Sequence, residues 1–173
     1  TVYPALDYGG GHDDIRLTRP WSAREAEAES SQIRALVEHL YSEYGPRDKT
    51  IILANTESDD RLLDLMNYTG SPDLAIANLI AWQNTRHDAI AQTRSRHPNA
   101  RLKILSAFEI SLVNLKIRRA GSRFFKSPSG EWNALTHLVP HIRLYLITYS
   151  PYESTNRPFQ TQTSATAPQA VER

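Results

Sequence analysis

The 173-residue chain carries a formal net charge of +1, is 40% hydrophobic and 23% charged, and contains no cysteine. Those values suit one domain with a real core, and they exclude disulfides, thiol catalysis and cysteine-ligated zinc. The small net charge gives no global pull toward nucleic acid or an anionic membrane, and no apolar run approaches the ~18 residues of a membrane span.

All but four of the 20 basic residues are arginine, which favours pairing with carboxylate or phosphate. The chain begins at Thr1 with neither an initiator methionine nor a signal pattern, so a processed or excised piece is expected. Residues 1–8 read as a strand remnant entering a polar loop, Gly9-Gly10-Gly11-His12-Asp13-Asp14. The glycines match no phosphate-binding pattern, and the His-Asp-Asp cluster reads as a solvated loop in preference to a metal site.

Ser22 opens a helix, with Glu25 at the capping-box spacing and Trp21 before the cap. Ile33, Leu36, Val37, Leu40, Tyr41 and Tyr44 form its apolar stripe, and Gly45-Pro46 ends it. Glu25, Glu27, Glu29 and Arg34 are expected on its solvated face. The apolar run Ile51–Ala54 predicts a strand buried on both faces, opening into Asn55, Glu57, Asp59 and Asp60. Residues 61–68 suit one or two helical turns.

Ser71-Pro72-Asp73 is a strong helix start. That helix runs toward Arg96, with Gln83, Asn84, Arg86, His87 and Asp88 expected to face outward and Trp82 to lie in the core. A second strand spans Leu102–Phe108 and leads to Glu109. The basic run Lys116–Lys126, interleaved with Phe124 and Phe125, reads as a solvated loop, and nucleic acid is not an expected partner. Residues 131–139 suit a short helix, and Ile142–Tyr149 a third strand. From Thr155 the composition turns to Thr, Gln, Ser, Ala and Pro, which predicts a disordered tail over 155–173.

Strands alternating with helices imply an α/β fold with a parallel sheet. An open doubly wound sheet would carry a phosphate-binding turn, and none is visible. A (β/α)₈ TIM barrel gathers polar residues at the carboxyl ends of its strands, where Glu57, Glu109 and Tyr149 fall, but needs about 200–250 residues. The expectation is a partial (β/α) barrel over residues 1–154. Its exposed strand edges would call for further chain or association.

Four segments together carry a resemblance: Lys49-Thr-Ile-Ile-Leu-Ala-Asn-Thr-Glu57-Ser-Asp59, Trp82-Gln-Asn-Thr-Arg86, Leu105-Ser-Ala-Phe-Glu109-Ile-Ser-Leu-Val-Asn114, and Ile147-Thr-Tyr149-Ser-Pro-Tyr152-Glu-Ser. Over roughly residues 30–155 the chain resembles a largely uncharacterised group of TIM-barrel proteins similar to glycoside hydrolases. Their fourth, fifth and sixth strands end in Trp-Glu-Gly-Asp-Trp, Glu-x-Asn-x-Val and Ser-Tyr-Ser-x-Tyr patterns. The resemblance implies that Glu57 and Asp59 are the strand-four acids, Glu109 the strand-five acid, and Tyr149 and Tyr152 the strand-six tyrosines. Thr56, Ser58 and Asp60 stand where that pattern has tryptophan, glycine and tryptophan.

Glycosidic bonds are cut by two carboxyl groups, and neighbouring strand ends about 4.8 Å apart bring two glutamates into that range. Glu57 and Glu109 are therefore the candidate catalytic pair on a glycan, with Asn55, Asp59, Asn114, Tyr149 and Tyr152 as candidate substrate contacts. A Glu57–Arg61 ion pair is the structural alternative for Glu57. The lost aromatics leave a second reading open, a non-catalytic carbohydrate-binding or interaction module. His137 and His141 are four apart, but Pro140 breaks the helix a two-histidine site would need. No metal and no cofactor are expected.

Overall fold

The computed structural model describes residues 15–55, 58–110 and 134–150. A 3₁₀ turn, Ile15–Thr18, precedes α1, Ala23–Tyr44. The capping box forms: the Glu25 amide donates to Ser22 Oγ at 3.3 Å, and the Ser22 amide donates to Glu25 Oε2 at 2.9 Å.

Gly45 closes α1 as expected, in right-handed helical geometry with φ −49° and ψ −42°. Glycine is needed there for space. A Cβ would stand 2.5 Å from the Tyr41 carbonyl oxygen. The Gly45 carbonyl also accepts from the amides of Arg101 and Leu102, joining this corner to the residues just before the strand Lys103–Ile110. Gly45→Ala is expected to lower stability by about 1–3 kcal/mol in a denaturant melt, as overpacking does. A variant as stable as the parent would show that the corner yields freely.

Strand β1 (Thr50–Asn55) is followed by α2 (Ser58–Thr69) and α3 (Pro72–Ser95). Strand β2 (Lys103–Ile110) leads to a one-turn α4 (Ala134–His137), a 3₁₀ turn (Val139–His141) and β3 (Leu146–Tyr149). The result is a mixed α/β fold with an open three-stranded sheet, ordered β1-β2-β3 and parallel throughout. Asn55 pairs with Phe108, Glu109 with Thr148, and Ile110 with Tyr149.

Alternation divides the sheet. Ile51, Leu53, Ile104, Phe108 and Ile110 enter two core clusters with residues of the helices. Near the amino ends, α1 and the second half of α3 supply Ile33, Val37, Tyr41, Ala89 and Ile90. Toward the carboxyl ends, α2, the start of α3 and α4 supply Leu62, Leu65, Met66, Leu79 and Ala134. Ile52, Ala54, Leu105 and Leu146 on the other face are half-buried and belong to neither cluster. β1 was expected to be covered on both faces. Among the described residues, helices cover one.

Several boundaries differ from expectation. The helix foreseen over 61–68 begins at Ser58, so Asp59 and Asp60 belong to its first turn, where acids suit the helix dipole. β3 begins at Leu146 and not at Ile142. Three surface assignments are corrected by burial: Glu29 is fully buried, and Gln83 and Arg86 are buried at 1% and 7% exposure. The reason is that α3 touches α1, α2 and β2, which leaves it little free outer face. The glycine loop with His12–Asp14, the Lys116–Lys126 run and the segment from Thr155 lie outside the described residues. Among those described, no helix is long and apolar enough to cross a membrane.

Candidate functional site

Glu109 is the penultimate residue of β2, half-buried, beside Thr148 and on the face that the described helices do not cover. Its placement follows from strand alternation. Phe108 and Ile110 go into the helix-packed core, so Glu109 projects the opposite way.

Just past β3, the Ser150 amide donates to the Ile110 carbonyl at 3.0 Å, which fixes the chain end against β2. From there the Ser150 hydroxyl donates to Glu109 Oε1. A carboxylate at the carboxyl end of a parallel strand is thus held from the adjacent strand by a hydroxyl.

Tyr149 was expected at this strand end as a candidate substrate contact beside the acids. The register instead aligns it with Ile110, and its side chain is 47% exposed. Ser150 lies one residue past the strand end, and its approach to Glu109 is set by the register between β2 and β3, which no local sequence pattern carries.

Asn55 ends β1 at 8% exposure, and its amide donates to Gln83 Oε1 of α3. That side chain ties strand to helix within the core, on the face away from Glu109. Asp59 lies in the first turn of α2, though its side chain is outside those described. Glu57, Asn114 and Tyr152 also lie outside the described residues. The structure therefore brings together Glu109, Thr148 and Ser150.

His137 and His141 line a shallow open hollow with Asp73, Ile76, Ile80 and Thr136. The His137 ring is engaged by Thr136 Oγ1 at 2.7 Å. Among the described residues, no group of three or more His, Asp or Glu side chains is arranged to hold a metal ion. No protein-family model, curated protein or solved structure matches the chain.

Proposed function

We propose that this chain forms part of a (β/α) barrel of glycoside-hydrolase type, acting on a glycan at the carboxyl end of its sheet. The observation that carries the reading is Glu109, half-buried on the helix-free face and held by Ser150. Sheet order supports it. Right-handed crossovers between strands in sequential order put every crossover helix on one face, as in a barrel, whereas a doubly wound sheet reverses order and covers both. In this arrangement the face bearing Ile52, Ala54, Leu105 and Leu146 is the barrel interior. Further strands or a second chain would then cover the outer edges of β1 and β3.

The chemistry assigns two roles. Glu109 accepts a hydrogen bond from Ser150, which suits the carboxylate that attacks the anomeric carbon or activates a water. Glu57, two residues beyond β1, is the candidate proton donor to the leaving oxygen. Asp59, Asn114, Tyr149 and Tyr152 are candidate contacts to sugar hydroxyls and rings.

Glu109→Gln removes the nucleophile or base while keeping an acceptor for Ser150. Turnover of the best glycoside in a broad panel is expected to fall by about 10²–10⁴-fold with the circular dichroism spectrum unchanged. Undiminished turnover in a folded Glu109→Gln protein would overturn the assignment. The exposed ring of Tyr149 favours one alternative, glycan binding without hydrolysis. Wild-type protein that binds a glycan array yet cleaves nothing would select it.

A further inference from the structure

The segment that leads into β3 is tied to α3 through side chains. Asn84 Nδ2 donates to the His141 carbonyl at 3.2 Å, and Asn84 Oδ1 accepts from the Arg143 amide at 2.6 Å. Arg143 forms a two-pronged pair with Asp88, at 2.9 and 2.5 Å. The guanidinium of Arg94 lies 4.6 Å from the centre of the Tyr145 ring. His87 sits at the middle of this clasp. Its Nδ1 is 2.8 Å from Ser106 Oγ of β2, and its ring is 4.8 Å from that of Tyr145 at a 37° tilt. One imidazole thus touches β2 and the residue that leads into β3.

We infer that His87 is an acid-sensitive latch, whose protonation loosens β3 from α3 and β2. Among the described residues, the charged and titratable groups around it are Asp88 and Arg94 on its own helix, Arg143 and Tyr145 in the segment entering β3, and neutral Ser106 on β2. An imidazolium there would join two guanidinium groups, with one carboxylate in opposition, and that carboxylate is already shared with Arg143. The Ser106 contact does not resist the change, because a hydroxyl can accept from Nδ1–H or donate to a bare Nδ1.

Burial, reinforced by Arg143 and Arg94 and opposed by Asp88, holds the His87 pKa below its ordinary value of 6.5. Because the folded value is the lower one, His87 takes up the proton first in the state where the segment is released or the chain unfolded, as pH falls. The latch contributes fully above about pH 6.5, and its contribution shrinks as pH drops through that value toward the folded pKa. Two backbone bonds report on β3: the Tyr145 amide to the Ser106 carbonyl at 3.2 Å, and the Ser150 amide to the Ile110 carbonyl. Releasing the strand also withdraws Ser150 from Glu109, so the latch and the carboxylate share one mobile element.

The test is amide hydrogen exchange on the full chain at about pH 7.5 and about pH 5.5, corrected for intrinsic exchange. Protection at Tyr145 and Ser150 is expected to fall severalfold at the lower pH, while the Lys103 amide, bonded to the Lys49 carbonyl between β1 and β2, keeps its protection. In His87→Gln, which preserves a polar partner for Ser106 without a titratable group, the fall should vanish. Constant wild-type protection, an equal fall in His87→Gln, or loss spread over Lys103 as well would overturn the latch. Should His87→Gln not fold, the wild-type imidazole titration followed by NMR decides. A midpoint that fails to coincide with the loss at Tyr145 and Ser150 is then the negative result.

Discussion

Arg86→Met is expected to lower stability by about 3–5 kcal/mol, the cost of removing one member of a buried ion pair. Arg86 Nη1 lies 2.8 Å from Glu29 Oε1, with side-chain exposures of 8% and 0%. The same guanidinium stacks 4.9 Å from the Trp82 ring centre, so the substitution removes packing as well as charge. Distance alone would mislead here. Arg34 and Glu27 are closer, at 2.6 Å, but their side chains are 25% and 70% exposed, and solvent screens such a pair so that it adds little.

Against a typical total of about 5–15 kcal/mol, the loss at Arg86 is a large fraction. Urea melts of Arg86→Met, Glu29→Leu and the double variant separate the terms. The double variant should recover much of the loss, since apolar replacements of both partners strand no charge. If Arg86→Met melts within about 1 kcal/mol of the parent, the pair is not the tie between α1 and α3 that its burial indicates.

That pair also marks where sequence reasoning stops. The local signals were legible because each is complete within a few residues. Ser22 with Glu25 announced the start of α1, Ser71-Pro72-Asp73 announced α3, and Ile51–Ala54 announced a strand, though not the open second face. The alternation of strand and helix patterns along the chain implied that the sheet is parallel, as it is.

The misread residues depend on partners far along the chain. Glu29 and Arg86 are 57 residues apart, and Asn55 and Gln83 are 28 apart. A polar residue on a helix looks solvated until its partner is known, and α3 buries polar groups toward several neighbours. Its pattern therefore shows no clean apolar stripe, although Asn78, Gln83, Arg86 and Thr93 are all buried. The candidate site divides in the same way. That Glu109 closes a strand is visible in Leu102–Phe108 followed by an acid. That Ser150, rather than Tyr149, reaches it depends on a one-residue register, which alternation converts into a change of face.

Asn78→Asp is the second substitution with a large expected effect, about 3–5 kcal/mol, although it exchanges only an amide for a carboxyl. Asn78 is 2% exposed on α3. Its Nδ2 donates to the carbonyls of Leu17 and Arg19 at 2.7 and 2.8 Å, and its Oδ1 accepts from the Trp21 amide at 3.1 Å. One side chain thereby meets three backbone groups in the segment that brings the chain to α1.

An ionised aspartate keeps the acceptor for Trp21 but offers neither donor, so two carbonyls would face a carboxylate. Asn78→Leu removes all three bonds without adding charge, and its expected loss is smaller, about 2–4 kcal/mol. The order of the two variants is the sharper test. An apolar residue that harms less than an isosteric acid shows that donor identity and charge, not volume, set the requirement at this position. Thermal melts followed by tryptophan fluorescence, with Trp21 beside the site, would read both effects. Equal stability of Asn78→Asp and the parent would mean that the approach to α1 is held by the burial of Leu17 and not by the amide of Asn78.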